Sequence, residues 1–120
     1  MENTDGMNPS AAIHNALQNF AAGITAKMTQ LTAGEPEDQV RGPFENFMAD
    51  VAAALGCSIV CTGETPLPDR LGRPDYAIHV NNLLAGYVEL KAPGVGAVAT
   101  RFRGHNRDQF KRFASLPNLL

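Results

Sequence analysis

The segment 72–94, GRPDYAIHVNNLLAGYVELKAPG, decides the fold. It contains two runs rich in strand-forming residues, 75–80 and 84–91, which are separated by the pair Asn81-Asn82. Asparagine tolerates the left-handed backbone conformation of a tight turn, so this arrangement predicts an antiparallel β-hairpin.

Each predicted strand has one apolar face, formed by Tyr76, Ile78 and Val80 on the first strand and by Leu84, Val88 and Leu90 on the second. A regular two-residue turn would set Val80 against Leu83 and Asp75 against Val88. That register would turn one of the two apolar faces to water, because opposed residues of a hairpin lie on the same face. An odd-length loop or a β-bulge would return both faces to the core, and we expect one of these irregularities.

The corrected register places Asp75, Glu89 and Lys91 together on the other face, with Asp75 across from or diagonal to Glu89. Two carboxylates this close repel each other unless a cation lies between them, and Mg²⁺ favours oxygen ligands of this kind. A bound metal could polarise a phosphoryl oxygen and activate water, while a lysine could stabilise developing charge. The alternative is structural: Asp75 begins a strand after Pro74, and Glu89 forms a solvated ion pair with Lys91.

The same 23 residues resemble the PD-(D/E)xK nuclease superfamily. Within that group they resemble the N-terminal nuclease domain of single-chain restriction–modification enzymes, in which a nuclease is joined to an adenine methyltransferase. The resemblance rests on Pro-Asp at 74–75, on Glu-Leu-Lys at 89–91 after an apolar strand, and on the Ala-Pro-Gly that follows. It implies an α/β restriction-endonuclease-like fold, a mixed sheet flanked by helices, with Mg²⁺-dependent hydrolysis of DNA in which Mn²⁺ can substitute.

Carried over by position, the resemblance makes Asp75 and Glu89 metal ligands and Lys91 the catalytic lysine. Members of the superfamily often place a further glutamate on the preceding helix, and Glu45 fits that ligand position. The alternative for Glu45 is an acid that is favoured near a helix N-terminus by the helix dipole.

Some relatives carry a glutamine, followed four residues later by an aromatic residue, on the helix after the lysine. Gln109 and Phe113 match this pattern and make Gln109 a candidate catalytic residue. Asn106 and Gln109 also have the spacing of a capping box, and Gln109 could have both roles.

The segment 101–112 is locally basic. It has five bases and one acid, a balance of 5 − 1 = +4, whereas residues 1–64 have two bases and eight acids, 2 − 8 = −6. A local basic patch is sufficient to bind phosphate even when the whole chain has a net charge of −2. The candidate DNA-binding residues are Arg101, Arg103, Arg107 and Lys111; the alternative is an ordinary solvated surface.

The remaining pattern predicts the order helix, helix, strand, strand, strand, helix and the start of a further strand. An apolar stripe over 13–31 predicts the first helix, with Ser10 as its N-cap, and the second helix is predicted over 43–55, ended by Gly56. A strand over 58–62, a helix over 107–116 and a strand after Pro117 complete the order. We expect an N-terminal helix and polar linker over 1–38 and the nuclease core over 39–120, with Cys57 and Cys61 as buried thiols.

The 120 residues suffice for one modest core, contain no apolar run long enough for a membrane span and begin without a secretory signal pattern. A cytoplasmic protein is therefore expected, and the resemblance implies DNA as its partner. No methyltransferase motif, Walker loop or zinc pattern is present, and the resemblance therefore implies methyltransferase and target-recognition modules beyond Leu120. The unfinished strand also predicts self-association through an uncovered sheet edge. The alternatives are a catalytically silent module that binds DNA or a protein, and a nuclease for RNA or branched DNA.

Overall fold

The computed structural model describes residues 8–30, 35–63, 73–93, 104–113 and 120. They form a mixed α/β structure of helices and a three-stranded sheet. The chain divides into two compact units, Met1–Ile59 and Val60–Leu120. The polar loop predicted a boundary after residue 38, and the extent of a nuclease core stays a prediction. None of the described helices is long and apolar enough to cross a lipid bilayer.

The first helix of the N-terminal unit, α1, spans Pro9–Met28. Its N-cap is Asn8, whose Oδ1 accepts a hydrogen bond from the Ala11 N–H at 2.8 Å. The prediction of Ser10 as the N-cap was wrong because Asn8 supplies the acceptor and Pro9 suits the first helical position, where no N–H is needed. Ser10 therefore lies within the first turn.

The second helix, α2, spans Arg41–Leu55 and follows directly on a 3-10 turn, Asp38–Val40. It begins two residues before the predicted start at Pro43 because the 3-10 turn leads straight into it. The predicted end is confirmed: Gly56 has the left-handed φ of 67° that a C-cap glycine adopts.

The two helices pack against each other through aromatic and small side chains. The rings of Phe20 and Phe47 lie with their centroids 5.6 Å apart. A Cβ at Gly23 would lie 3.5 Å from the Pro43 side chain, so the glycine allows a close approach of the helices. Phe44 is buried, which gives this unit a small core of its own.

The sheet has the strand order β1-β2-β3 and, apart from Ile59, belongs to the C-terminal unit. The strands are β1 (Ile59–Gly63), β2 (Tyr76–Val80) and β3 (Leu83–Val88), and β2 and β3 form an antiparallel hairpin. Asn81 and Asn82 have φ of 49° and 69°, the left-handed conformation that a two-residue type I′ turn requires. The predicted turn is thus confirmed. Cys57 and Cys61 are not joined in a disulfide and are half-buried, more exposed than predicted.

The hairpin contains the predicted β-bulge. Ile78 pairs with Gly86, but the next residue, His79, pairs with Leu84, so Ala85 is the extra residue of β3. The bulge offsets by one residue the register that the two-residue turn would otherwise impose. A bulge is one of the two irregularities that were expected to place both apolar faces in the core.

Beyond the bulge the core face is as expected, with Tyr76 opposite Val88 and both residues buried. Leu90 is buried as well, although it lies beyond the end of β3. The core prediction for Leu84 was wrong: it lies on the turn side of the bulge, where its facing is reversed, and it is 50% exposed. The alternation of apolar residues in the sequence did not show at which residue the bulge would occur.

Residue 120 lies alongside β3. The Leu120 N–H donates to the Tyr87 carbonyl at 2.8 Å, and the Leu120 carbonyl accepts from the Glu89 N–H at 2.9 Å. An antiparallel hydrogen-bonded pair exchanges both bonds between the same two residues, whereas here one residue bonds to both neighbours of Val88, which is the parallel pattern. Leu120 thus has strand-like pairing parallel to β3, in keeping with the predicted strand after Pro117; residues 118 and 119 lie outside the described residues.

Candidate functional site

The bulged register brings Asp75 and Glu89 to opposed positions at the open end of the hairpin, one step beyond the pair Tyr76 and Val88. Asp75 is 7% exposed, and the Glu89 side chain is 11% exposed. Ligand oxygens of the two carboxylates lie within 4.8 Å of each other. The predicted convergence of these two acids is therefore confirmed.

Each carboxylate also accepts a hydrogen bond from the opposite backbone. The Leu90 N–H donates to Asp75 Oδ2 at 2.7 Å, and the Asp75 N–H donates to Glu89 Oε1 at 3.2 Å. These side chains take backbone donors at the point where the pairing of β2 with β3 ends. This is why β3 ends at Val88, although the strand was predicted to continue to Lys91.

Lys91 extends the cluster toward a third helix, α3, which spans Gly104–Phe113. Its Nζ donates to Asn106 Oδ1 at 3.1 Å and to Gln109 Oε1, and it lies 3.8 Å from Glu89 Oε2. The Lys91 side chain is only 10% exposed. The alternative interpretation of Glu89 and Lys91 as a solvated ion pair is therefore wrong, because both partners are almost fully removed from water.

The two amides on α3 do not have the roles that their spacing suggested. The helix begins at Gly104, three residues before the predicted start, so Asn106 and Gln109 lie inside it and do not form a capping box at its N-terminus. Residues three apart on a helix share one face, and both amide oxygens accept from the same ammonium instead. Asn106 was missed as a site residue; its spacing of three from Gln109 was the available signal.

The structure brings four predicted site residues together, Asp75, Glu89, Lys91 and Gln109. Glu45 lies on α2 in the N-terminal unit with an exposed side chain. Because α2 begins at Arg41, Glu45 lies beyond the first turn, and its alternative role at a helix N-terminus loses its basis. The role of Glu45 as a metal ligand stays a prediction.

Of the predicted DNA-binding residues, Arg107 and Lys111 are exposed on α3, whereas Arg101 and Arg103 lie outside the described residues. With about 100° between successive helical residues, Arg107 and Lys111 lie about 100° and 140° around the helix from Asn106, while Gln109 lies about 60° in the other direction. The two cations therefore point well away from the face that holds Lys91. Their contact with phosphates stays a prediction.

The chemistry of the donor set fits a hard divalent cation. The two acids offer only oxygen ligands, which suit Mg²⁺ or Mn²⁺. With Lys91 the cluster has a formal charge of −2 + 1 = −1, so a divalent cation would be attracted to it. An ionised carboxylate has about four lone-pair sites, so accepting a backbone N–H is compatible with coordinating a metal.

Comparison of the chain with family models, with curated protein sequences and with solved structures gives no significant match in any of the three.

Proposed function

We propose that this chain carries the catalytic core of a Mg²⁺-dependent endonuclease that hydrolyses DNA phosphodiester bonds. We further propose that its fold is restriction-endonuclease-like and that it is the cleavage module of a restriction–modification enzyme. The observation that carries the proposal is the convergence of Asp75, Glu89 and Lys91 at the open end of a bulged hairpin. The PD-(D/E)xK resemblance predicts these three residues as the catalytic set. The requirement that both apolar faces of the hairpin point to the core predicts independently that they lie together on the other face.

Asp75 and Glu89 would hold Mg²⁺, which supplies Lewis-acid stabilisation of a phosphoryl oxygen and activates water. The backbone hydrogen bonds from Leu90 and Asp75 fix the two carboxylates before any substrate binds, so little reorganisation is needed. Lys91 would orient the attacking water or stabilise the negative charge that develops on the phosphoryl group. In the hydrolysis, the water oxygen bonds to phosphorus, the bond from phosphorus to the 3′ oxygen breaks, and that oxygen takes up a proton.

The burial of the cluster supports a functional role. Removing charged side chains from water costs free energy, and apolar residues of similar size often stabilise a fold as well or better. Here Asp75, Glu89 and Lys91 are each only about one-tenth exposed, at the end of a hairpin where apolar residues could pack instead. Local departures of this kind from the usual folding rules concentrate at functional sites.

A catalytically silent module that binds DNA or a protein is the second candidate, and one observation favours it. The two carboxylates accept backbone hydrogen bonds that close the end of the hairpin, which is a structural role independent of cleavage. In that case the geometry of the two carboxylates would be structural, and Mg²⁺ would not support cleavage whether or not it binds them. Metal binding and cleavage must therefore be measured separately.

The direct test is nicking of supercoiled plasmid DNA at high protein concentration, with Mg²⁺ or with EDTA. Lys91→Ala is expected to reduce the Mg²⁺-dependent rate by a factor on the order of 10²–10³, the effect typical of removing one group that stabilises transition-state charge. Lys27→Ala is the matched control, because Lys27 is exposed on α1. Single-stranded RNA and branched DNA serve as parallel substrates.

Equal rates for wild type and Lys91→Ala, or cleavage that persists in EDTA, would contradict the proposal. Mg²⁺ binding without cleavage of any substrate would favour the silent module. Cleavage of RNA or branched DNA alone would keep the mechanism and change the substrate.

A further inference from the structure

We propose that Asn106 is a positioning residue that holds the Lys91 ammonium in place from α3. The catalytic consequence of this role rests on the proposed nuclease function, but the positioning itself does not. Lys91 Nζ donates a hydrogen bond to Asn106 Oδ1 at 3.1 Å, where Asn106 is half-buried and the Lys91 side chain is 10% exposed. Neither composition nor the resemblance assigned any role in the site to Asn106.

A lysine side chain needs such a partner if its charge is to be held at one point. Its ammonium is a compact charge with three donors and no acceptor, on a flexible four-carbon stem. One acceptor would leave the ammonium able to swing about that contact. Two acceptors, Asn106 and Gln109, lie on one face of α3 and fix its position from two directions.

The chemical type of these acceptors also matters. An amide oxygen accepts a hydrogen bond from the ammonium without carrying an opposing formal charge, so Asn106 orients Lys91 without neutralising it. The Lys91 ammonium also lies 3.8 Å from Glu89 Oε2. This arrangement suits a lysine whose charge acts on a substrate phosphate, because a charge-assisted contact with phosphate depends on placement.

The positioning can be tested without any measurement of activity, by competitive labelling of lysine amines with acetic anhydride and peptide mass spectrometry. Asn106→Leu removes the acceptor at similar size, and Asn106→Asp retains an acceptor oxygen. We expect Asn106→Leu to raise the labelling rate of Lys91 by about tenfold, the order expected for losing one hydrogen bond to a charged group. Lys111, exposed on the same helix, is the internal reference.

Asn106→Asp is expected to keep the labelling of Lys91 low, and Asp108→Asn, a change at a neighbouring exposed position of α3, is expected to leave it at the wild-type rate. In the plasmid assay, Asn106→Leu should lower kcat by about tenfold with KM for DNA unchanged, whereas Asn106→Asp should restore part of the loss. This split follows because a positioning residue acts on the reacting group and not on substrate binding.

Unchanged labelling of Lys91 in Asn106→Leu would overturn the proposal whatever the cleavage rate. An equal rise at Lys91 and Lys111 would also overturn it, since that would indicate general loosening of α3. A selective rise at Lys91, with a wild-type protein that cleaves no nucleic acid, would uphold the positioning and refute the nuclease function.

Discussion

Replacing Asp75 by asparagine separates the effect of the acid pair on stability from its ability to bind a metal. With ligand oxygens within 4.8 Å, two unit negative charges repel by about 3.5 kcal/mol or more at an effective dielectric constant of 20. Lys91 offsets part of this repulsion, since it lies 3.8 Å from Glu89. Asp75→Asn removes the repulsion and keeps a side-chain oxygen for the Leu90 N–H. Without metal, its free energy of unfolding should be equal to the wild-type value or higher by about 1 kcal/mol.

Asp75→Ala provides the matched comparison. It also removes the negative charge, but it leaves the buried Leu90 N–H without the acceptor that lies at 2.7 Å in the wild type. A buried unsatisfied donor costs about 1–3 kcal/mol, so the alanine variant should be the least stable of the three proteins in EDTA. Urea unfolding followed by circular dichroism gives the ranking, with Asp50→Asn on the exposed surface of α2 as a control for loss of one negative charge.

Mg²⁺ should reverse the order of wild type and Asp75→Asn. A ligand that binds only the folded state adds about 1.4 kcal/mol at ten times its Kd and about 2.7 kcal/mol at one hundred times. Wild type and Asp50→Asn should show this gain with rising Mg²⁺, and both Asp75 variants should not. If Asp75→Asn is as unstable as Asp75→Ala in EDTA, or if wild type gains nothing from Mg²⁺ or Mn²⁺, the carboxylates are structural and the reasoning from repulsion is refuted.

Three further outcomes are expected. Neutralising Arg101, Arg103 and Arg107 together should weaken DNA binding for all sequences and reduce the slope of log K against log salt; an unchanged slope in fluorescence anisotropy would identify them as ordinary surface residues. Asn82→Val should lower stability by about 1–2 kcal/mol because valine opposes the left-handed φ of 69°, whereas Asn82→Gly should be close to neutral in the same urea titration. Phe44→Ala should cost about 3–5 kcal/mol because Phe44 is 7% exposed, and a similar loss in Leu17→Ala, at a position 52% exposed, would show that burial is not the cause.

The two strand-like runs and the asparagine turn predicted the hairpin. The alternation of apolar residues along its strands predicted an irregularity and, with it, the meeting of Asp75 with Glu89. These features follow from a condition that holds over the whole hairpin, since a register shift of one residue exposes every core side chain of a strand. The position of the irregularity does not follow from that condition, and so Leu84 was assigned to the wrong face. Any residue between the turn and Val88 could have been the extra one.

The ends of the helices were less predictable because neighbouring residues compete for the same role. Asn8 and Ser10 are both good N-caps, and the proline between them favoured the earlier start. Asn106 and Gln109 fit a capping box by spacing, but Lys91, fifteen residues before Asn106, attracts both amide oxygens. A contact between distant segments of the chain overrides a local preference, and only the folded structure shows it.

The extra residue at Ala85 has a consequence for how relatives of this chain could be recognised. Thirteen residues separate Asp75 from Glu89. A hairpin with the same turn and no bulge would bring the two acids to the same opposed positions with one residue fewer between them. A motif search that fixes this interval would discard such chains, whereas one that counts alternating apolar positions on each side of the turn would retain them. Loss of Ala85 in a descendant sequence would in the same way leave the alignment of the two acids intact.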